Sequence, residues 1–238
     1  MLPPFTLDTQ KDFIMTPNSI QNGTYQMLDP EDTVFLLIDH QAGLMLFPKD
    51  IDPLTLRSNS IALAKVAKLH DIPVVLTAAD SGPDGPIGPI IPEIRDLFPD
   101  VDVIYRTKIN SWEDDDIRGA IEATGRKQLV TAGITADFCS GLPAKSAAAA
   151  GYDSRNVLDC SGLVDEYVRD ITISNLAQHG VAVTNWLAVA CELMGDWAKS
   201  ETASQGLLDI YAEHLPEWGM LDVIEDARKA RGNKGDAS

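Results

Sequence analysis

The amino-acid sequence predicts an α/β fold, a doubly wound, mostly parallel six-stranded sheet with helices on both faces, in three αβα layers. Short apolar runs recur along the chain, and stretches with helical periodicity separate them. These runs are continuously apolar rather than alternating, which is typical of strands that are buried on both faces. Strands that alternate with helices pair in parallel through right-handed crossovers, so the pattern indicates one doubly wound domain.

Each apolar run is taken as a strand. The first run ends in an acid, Asp39, and the fourth ends at Gly133. The six predicted strands cover residues 33–39, 73–78, 103–106, 129–133, 156–160 and 181–184.

The stretches between the runs are taken as helices. In the first, Leu56, Leu63 and Val66 share one face. Gly125 and Gly151 follow the ends of two others, where glycine commonly closes a helix. The predicted helices cover residues 54–70, 114–124, 139–150, 166–178, 187–199 and 204–214.

Three regions are predicted along the chain. Residues 1–28 contain three prolines and no clear periodicity, and form an irregular N-terminal arm. This arm is either a poorly ordered terminus or a segment that wraps a neighbouring subunit. Residues 29–215 form the main domain, and residues 216–238 form a polar C-terminal tail.

Composition limits the partners. The chain of 238 residues has a formal net charge of −17, so nucleic acid and anionic membranes are not expected as partners. Its three cysteines are too few and too widely spaced for a disulfide framework. No apolar run approaches the roughly 20 residues of a membrane helix, and no secretory signal is recognised at the start. We therefore expect a cytoplasmic protein.

Three chemically useful side chains follow strand ends, which is where doubly wound sheets bind ligands. Cys139 is predicted at a helix N-terminus, where unpaired N–H groups lower a thiol pKa and can hold an oxyanion. Asp39 ends the first strand, and Lys108 follows the third. Alone, Cys139 is equally a buried structural cysteine, whereas a cap is favoured for Asp39 and a solvated position is favoured for Lys108. Together they suit a nucleophile, a base and an electrostatic tuner.

The motifs around these residues resemble the isochorismatase-like cysteine hydrolase family over roughly residues 30–215. The resemblance is carried by LLIDHQAGL around Asp39, RTKINSWED around Lys108 and TAGITADFCSGLPAKSAAAAGYDS around Cys139. The later stretch NWLAVACELMGDW is similar to the YcaC-like branch. Three motifs in this order form a specific signal, whereas any one of them would be weak.

The resemblance implies a catalytic triad for C–N bond hydrolysis of a small amide or carbamoyl-type substrate through a thioester. Asp39 would be the base, Lys108 would stabilise the thiolate, and Cys139 would be the nucleophile. The resemblance also implies a cis peptide between Ile134 and Thr135, with the N–H groups of Thr135 and Cys139 as the oxyanion hole. Members of the family are commonly tetramers or octamers, so a homo-oligomer is expected.

The resemblance also bears on metals and on the substrate pocket. Nicotinamidases of the family bind a metal through histidines after the second strand, and residues 77–89 contain none, so we expect no metal and no cofactor. We assign Gln41, Asn110, Trp112 and Ile134 to the pocket, although a core position is slightly favoured for Trp112. A structural role is favoured for His40.

Two other functions stay open at this stage. One is isochorismatase-type vinyl-ether hydrolysis, which does not rely on the cysteine. The other is a non-catalytic oligomeric binding or scaffold protein that retains the triad as a relic. The identity of the substrate cannot be inferred from the sequence.

Overall fold

The computed structural model describes residues 25–79 and 84–221, together with residues 223, 224 and 228. The strands are β1 (Thr33–Ile38), β2 (Val74–Ala79), β3 (Val103–Arg106), β4 (Gln128–Gly133), β5 (Asp153–Val157) and β6 (Ala182–Thr184). They form a six-stranded sheet with the order β3-β2-β1-β4-β5-β6, and every neighbouring pair is parallel. The predicted doubly wound fold is therefore confirmed.

Helices cover both faces of this sheet. The α-helices are α1 (Pro53–Leu69), α2 (Pro92–Arg95), α3 (Asp115–Ala123), α4 (Gly141–Ala149), α5 (Arg169–Gln178), α6 (Trp186–Met194) and α7 (Glu201–His214). Three of them, α1, α6 and α7, pack together on one face, whereas α3, α4 and α5 pack on the other. Short 3-10 helices occupy Leu44–Leu46, Ser111–Glu113, Leu158–Cys160 and Glu166–Val168.

The central strand β1 shows why apolar runs mark this fold. All six of its residues are buried. Phe35 and Leu37 belong to the hydrophobic cluster beneath α1, α6 and α7, whereas Val34 and Leu36 belong to the cluster beneath α3 and α4. Because successive side chains of a strand point to opposite faces, a strand between two helical layers needs apolar residues at every position.

The fifth strand does not lie where its apolar run predicts it. The run 156–160 was expected to be the strand, but β5 begins at Asp153, and residues 158–160 form a 3-10 helix. Its polar residues are buried because they have partners. Arg155 forms ion pairs with Asp153 and Glu192, and Asn156 donates hydrogen bonds to the hydroxyls of Thr131 and Ser140.

The ends of the chain differ in part from expectation. Residues 1–24 of the predicted arm lie outside the described residues, and residues 25–28 have no regular structure. Residues 216–221 are helical, although they were expected to begin a polar tail. The region boundaries proposed from the sequence stay predictions. No helix in the described part of the chain is long and apolar enough to span a membrane.

Candidate active site

A cavity of about 520 Å³ opens at the carboxyl ends of β1, β3 and β4. Asp39, Arg106 and Cys139 line it, each from the end of a different strand or the loop that follows it. Chain segments more than 30 residues apart therefore deliver three chemically active side chains to one place. This is the edge of a doubly wound sheet at which ligands usually bind.

Asp39 is held at the end of β1 in an unusual backbone conformation. Its φ is 58°, in the left-handed region that non-glycine residues rarely adopt. Its N–H donates to the Thr77 carbonyl at 2.9 Å, and its side chain is fully buried. Gly133 lies alongside, where a Cβ atom would come within 2.2 Å of the Ile38 carbonyl oxygen. The close approach of β4 at this glycine helps to fix the position from which the carboxyl group enters the cavity.

Arg106 is the cation that pairs with Asp39. Its Nη2 donates to Asp39 Oδ2 at 2.6 Å, and both side chains are almost completely buried. Its Nη1 donates to the Lys108 backbone carbonyl at 2.8 Å, which fixes the other side of the guanidinium group. A buried ion pair with these extra hydrogen bonds has a defined geometry.

Lys108 does not reach the cavity. Its side chain is exposed, and its Nζ donates to the Glu113 backbone carbonyl at 2.6 Å. The chain has left the sheet after Arg106, so the ammonium group follows the surface loop. The structure thus brings Asp39 and Cys139 together with Arg106, and not with the lysine that the resemblance implied. The neglected signal was an arginine at the last position of the third strand, where it is the one buried residue of that strand.

Cys139 lies in the turn 136–140, two residues before α4 begins at Gly141. Burial and, after it, the neighbouring Asp39 carboxylate raise the pKa of its thiol to about 12, against the opposing effects of Arg106 and the Thr135 N–H. The sequence-based expectation of a lowered thiol pKa is therefore wrong. The thiol does not begin the helix, and burial beside a carboxylate outweighs the helix dipole.

Burial also raises the pKa of Asp39, while the Arg106 guanidinium and the Cys139 thiol act in the opposite direction. An ionised carboxylate is the form that pairs with Arg106, and a protonated sulfur is the form that burial and the carboxylate favour. The resting site therefore combines a carboxylate with a neutral thiol. Such a pair can transfer a proton when the sulfur attacks.

Two backbone N–H groups lie near the sulfur. The Thr135 N–H acts to lower the pKa of the Cys139 thiol, and the Cys139 N–H donates to no backbone carbonyl among the described residues. The Ile134–Thr135 peptide bond is cis. The backbone carbonyl of Thr135 accepts a hydrogen bond from the Ser140 N–H at 3.1 Å, and the Thr135 hydroxyl donates to the Asp137 carboxylate. These contacts order the turn that carries the nucleophile candidate.

Of the four predicted pocket residues, only Ile134 lines the cavity. The side-chain amide of Gln41 instead donates hydrogen bonds to the backbone carbonyls of Gly88 and Ala79, and so links the end of β2 to the loop that contains Gly88. Asn110 caps a 3-10 helix and donates to Ser146, and Trp112 packs in the core. The lining residues that were not assigned to the pocket from the sequence, apart from Arg106, are Leu44, Phe47, Ala79, Ile87, Thr107, Ile109 and Phe138.

His40 follows Asp39 but has a structural position. Its Nε2 donates to the Cys160 carbonyl at 3.0 Å. Burial lowers the pKa of His40 to about 4, so the ring is neutral at physiological pH. Within the described residues, no group of three or more His, Cys, Asp or Glu side chains is arranged to hold a metal ion.

Comparison with known proteins identifies the family of this chain. A family model for the isochorismatase domain matches residues 33–187. The chain belongs to the isochorismatase family. Like the relatives described next, this isochorismatase-family protein is a hydrolase.

Its similarity to YcaC proteins extends over most of the chain. It is 39% identical over 204 residues to the probable hydrolase YcaC of Escherichia coli (strain K12), covering 85% of this chain and 95% of that protein. The solved E. coli YcaC, an octameric hydrolase of unknown specificity, matches with a TM-score of 0.80 at 37% identity, covering 86% of this chain and 98% of the other. YcaC from Pseudomonas aeruginosa, solved with hexane-2,5-diol and covalent acrylamide, also has a TM-score of 0.80 at 37% identity, covering 85% and 98%. The isochorismatase-family assignment thus rests on sequence and fold together.

Proposed function

We propose that this protein is a cysteine hydrolase that cleaves the C–N bond of a small amide or carbamoyl-type substrate through a thioester. Cys139 is the nucleophile, Asp39 is the general base and acid, and Arg106 takes the place that the resemblance gave to Lys108. The observation that carries this proposal is the buried Asp39–Arg106 ion pair beside the Cys139 thiol in one cavity.

In the first step the sulfur attacks the substrate carbonyl carbon while its proton passes to the Asp39 carboxylate. A C–S bond forms, and the carbonyl electron pair moves onto oxygen. The N–H groups of Thr135 and Cys139 stabilise this oxyanion. Because the thiol begins protonated, the carboxylate must act as a base during the attack, which explains why the two groups lie side by side.

The tetrahedral intermediate then collapses. Asp39 returns its proton to the leaving nitrogen, the C–N bond breaks, and ammonia or an amine departs, leaving a thioester on Cys139. In the second half, Asp39 takes a proton from water while the water oxygen attacks the thioester carbon. The C–S bond breaks, the acid product leaves, and the sulfur recovers a proton from Asp39.

Arg106 has two tasks in this scheme. It holds the Asp39 carboxylate at a fixed position, and it favours the ionised form that can accept the thiol proton. When Asp39 becomes protonated, the guanidinium charge stays in place and disfavours that state, so the proton is readily passed on. Arg106 is thus a positioning residue.

The relatives support the assignment. The P. aeruginosa YcaC holds a covalent acrylamide, and acrylamide is an amide with an electrophilic carbon. The E. coli YcaC is octameric, and we propose a homo-oligomer here as well.

We further propose a cytoplasmic protein without nucleic-acid or membrane partners, in keeping with three free cysteines and a net charge of −17.

The proposal is tested by mass spectrometry of the intact protein, quenched with acid during turnover of an amide panel, while hydroxylamine in a parallel sample should cleave a thioester adduct and release the acyl group as a hydroxamate. An acyl adduct should form on wild-type protein, map to Cys139 and be absent from Cys139→Ala. Hydrolysis by Cys139→Ala at the wild-type rate would refute the mechanism. Pyruvate release from isochorismate by that variant would favour vinyl-ether hydrolysis instead.

A further inference from the structure

We infer that the cavity selects uncharged, apolar amides and rejects substrates that carry a carboxylate. This inference rests on the proposed function, because it concerns the substrate of the same cysteine. Ile109 is the residue that we single out as a determinant of this choice.

The described walls of the cavity are apolar. Beyond Asp39, Arg106 and Cys139, its described lining consists of aliphatic and aromatic side chains, with Ala79 and Thr107. The large apolar members are Leu44, Phe47, Ile87, Ile109, Ile134 and Phe138. A hydrocarbon or aromatic group fits such walls, whereas a carboxylate loses its hydration there without gaining hydrogen bonds.

The charges of both nearby cations are already engaged, and the Arg106 Nε, which has no hydrogen-bond partner among the described residues, is buried. The Arg106 charge is already balanced by Asp39 at 2.6 Å, and its Nη1 donates to a backbone carbonyl. The Lys108 ammonium donates to the Glu113 carbonyl on the exposed side of its loop. The net charge of −17 adds a general repulsion of anions. A second anion entering beside Asp39 would therefore meet like charge and no unpaired cation among the described lining residues.

Ile109 lies at the exposed edge of this cavity. Its side chain is 65% exposed and yet lines the cavity, directly after Lys108 in the loop that follows β3. A cation at this position would reach an anion in the cavity without disturbing the core. Ile171 provides a matched control because it is similarly exposed, at 68%, but lies on α5 and does not line the cavity.

The test compares alkylation by iodoacetamide and by iodoacetate, which differ in charge at nearly equal size. In both reactions the sulfur forms a bond to the methylene carbon, the C–I bond breaks, iodide leaves, and the thiol proton passes to Asp39 or solvent. Peptide mapping gives separate rates for Cys139 and for Cys191, which is exposed and serves as an internal reference. The general repulsion of anions by the acidic protein acts on both cysteines, so the reference accounts for it.

The ratio of the iodoacetamide rate to the iodoacetate rate should be at least about tenfold larger at Cys139 than at Cys191. Ile109→Arg should reduce the ratio at Cys139 and leave that at Cys191 unchanged, and Ile171→Arg should change neither. Equal ratios at the two cysteines would overturn the inference while leaving a reactive nucleophile. No alkylation of Cys139 by either reagent would overturn the proposed function, and the inference with it.

Turnover provides an independent measurement. Hexanamide and adipamic acid share one chain length, and adipamic acid adds a terminal carboxylate. The wild-type kcat/KM should be higher for hexanamide by at least about tenfold, and Ile109→Arg should narrow this difference. A wild-type preference for adipamic acid would contradict the selection of uncharged substrates.

Discussion

Arg106 Nη2 lies 2.6 Å from Asp39 Oδ2, although the strands that carry the two residues are separated by β2. The contact therefore passes over the end of the intervening strand, where Ala79 lines the cavity beside both residues. In the register of β2 with β3, Ala79 is the direct partner of Arg106. A small residue at this position leaves room for the guanidinium group to reach the carboxylate.

The first prediction separates Arg106 from Lys108. Arg106→Met should lower kcat/KM by about 100-fold or more, because Asp39 loses the charge that keeps it ionised and in position. Lys108→Met should stay within about twofold of wild type, since its ammonium group only meets a backbone carbonyl. Steady-state kinetics on an amide substrate measures both effects.

Arg106→Lys provides a control for folding in this experiment. It retains a cation and should recover part of the activity lost in Arg106→Met, while circular dichroism reports whether each variant is folded. A larger loss of activity in Lys108→Met than in folded Arg106→Met would return the catalytic role to the lysine.

The second prediction concerns the ionisation of Cys139. Asp39→Asn should lower the pKa of the thiol from about 12, because it removes a negative charge beside the sulfur. The same substitution should lower activity, because the base is lost. Ultraviolet absorbance of the thiolate against pH, with Cys139→Ala subtracted, measures the pKa. A thiol pKa that rises in Asp39→Asn would contradict the geometry.

The third prediction concerns the pH dependence of activity. Only ionised Asp39 can accept the thiol proton, and its pKa is raised by burial. Activity should therefore fall as the pH is lowered, and the fall should begin at a higher pH than that of an ordinary aspartate, with a reference pKa of 3.8. The acid limb of kcat/KM against pH tests this, and a limb centred below 3.8 would contradict it.

The fourth prediction concerns His40 and stability. The ring has a pKa of about 4 when folded and 6.5 when exposed, so the unfolded chain binds more protons between these values. Stability should therefore fall as the pH drops from 6.5 towards 4. The contribution of this one group is about 2–3 kcal/mol at about pH 4.5 relative to about pH 7.

Urea denaturation at those two pH values measures the effect. His40→Gln retains a donor of similar length and should show a smaller loss of stability on acidification than wild type. An identical loss in both proteins would assign the pH dependence to other groups.

The fifth prediction compares a buried ion-pair network with an exposed pair. Arg155→Met leaves the carboxylates of Asp153 and Glu192 without their buried partner and should cost about 3 kcal/mol of unfolding free energy. Arg57→Met breaks an exposed pair with Glu93 and should cost less than about 1 kcal/mol. Denaturant unfolding of the two variants tests the difference, and equal costs would argue against the role given to Arg155.

The sequence predicts the fold well wherever burial coincides with apolar character. All of β1 is buried, and every residue after Thr33 is apolar, so its run predicts the strand almost to the residue. The run 156–160 fails because Arg155 and Asn156 are buried through ion pairs and hydrogen bonds with residues distant in sequence. Hydrophobic periodicity contains no information about such partners.

The candidate site is predicted only in part for a similar reason. Asp39 directly follows β1, and Cys139 lies in the connection between β4 and α4, so the topology rule indicates that they meet. Whether Arg106 or Lys108 reaches the site depends on where the chain leaves the sheet. The sequence does not show that point precisely enough to distinguish two cationic residues that are only two positions apart. Wall residues such as Phe47 and Ile109 are apolar, as core residues are, so only the three-dimensional structure shows that they line the cavity.

The protonated state of Cys139 has a consequence for the durability of the protein. Peroxides attack the thiolate form of cysteine, and a raised pKa leaves little thiolate at neutral pH. Burial and the carboxylate that extracts the proton during attack on a substrate both keep the idle sulfur protonated. We therefore expect peroxide to oxidise the resting sulfur more slowly than a permanently ionised cysteine.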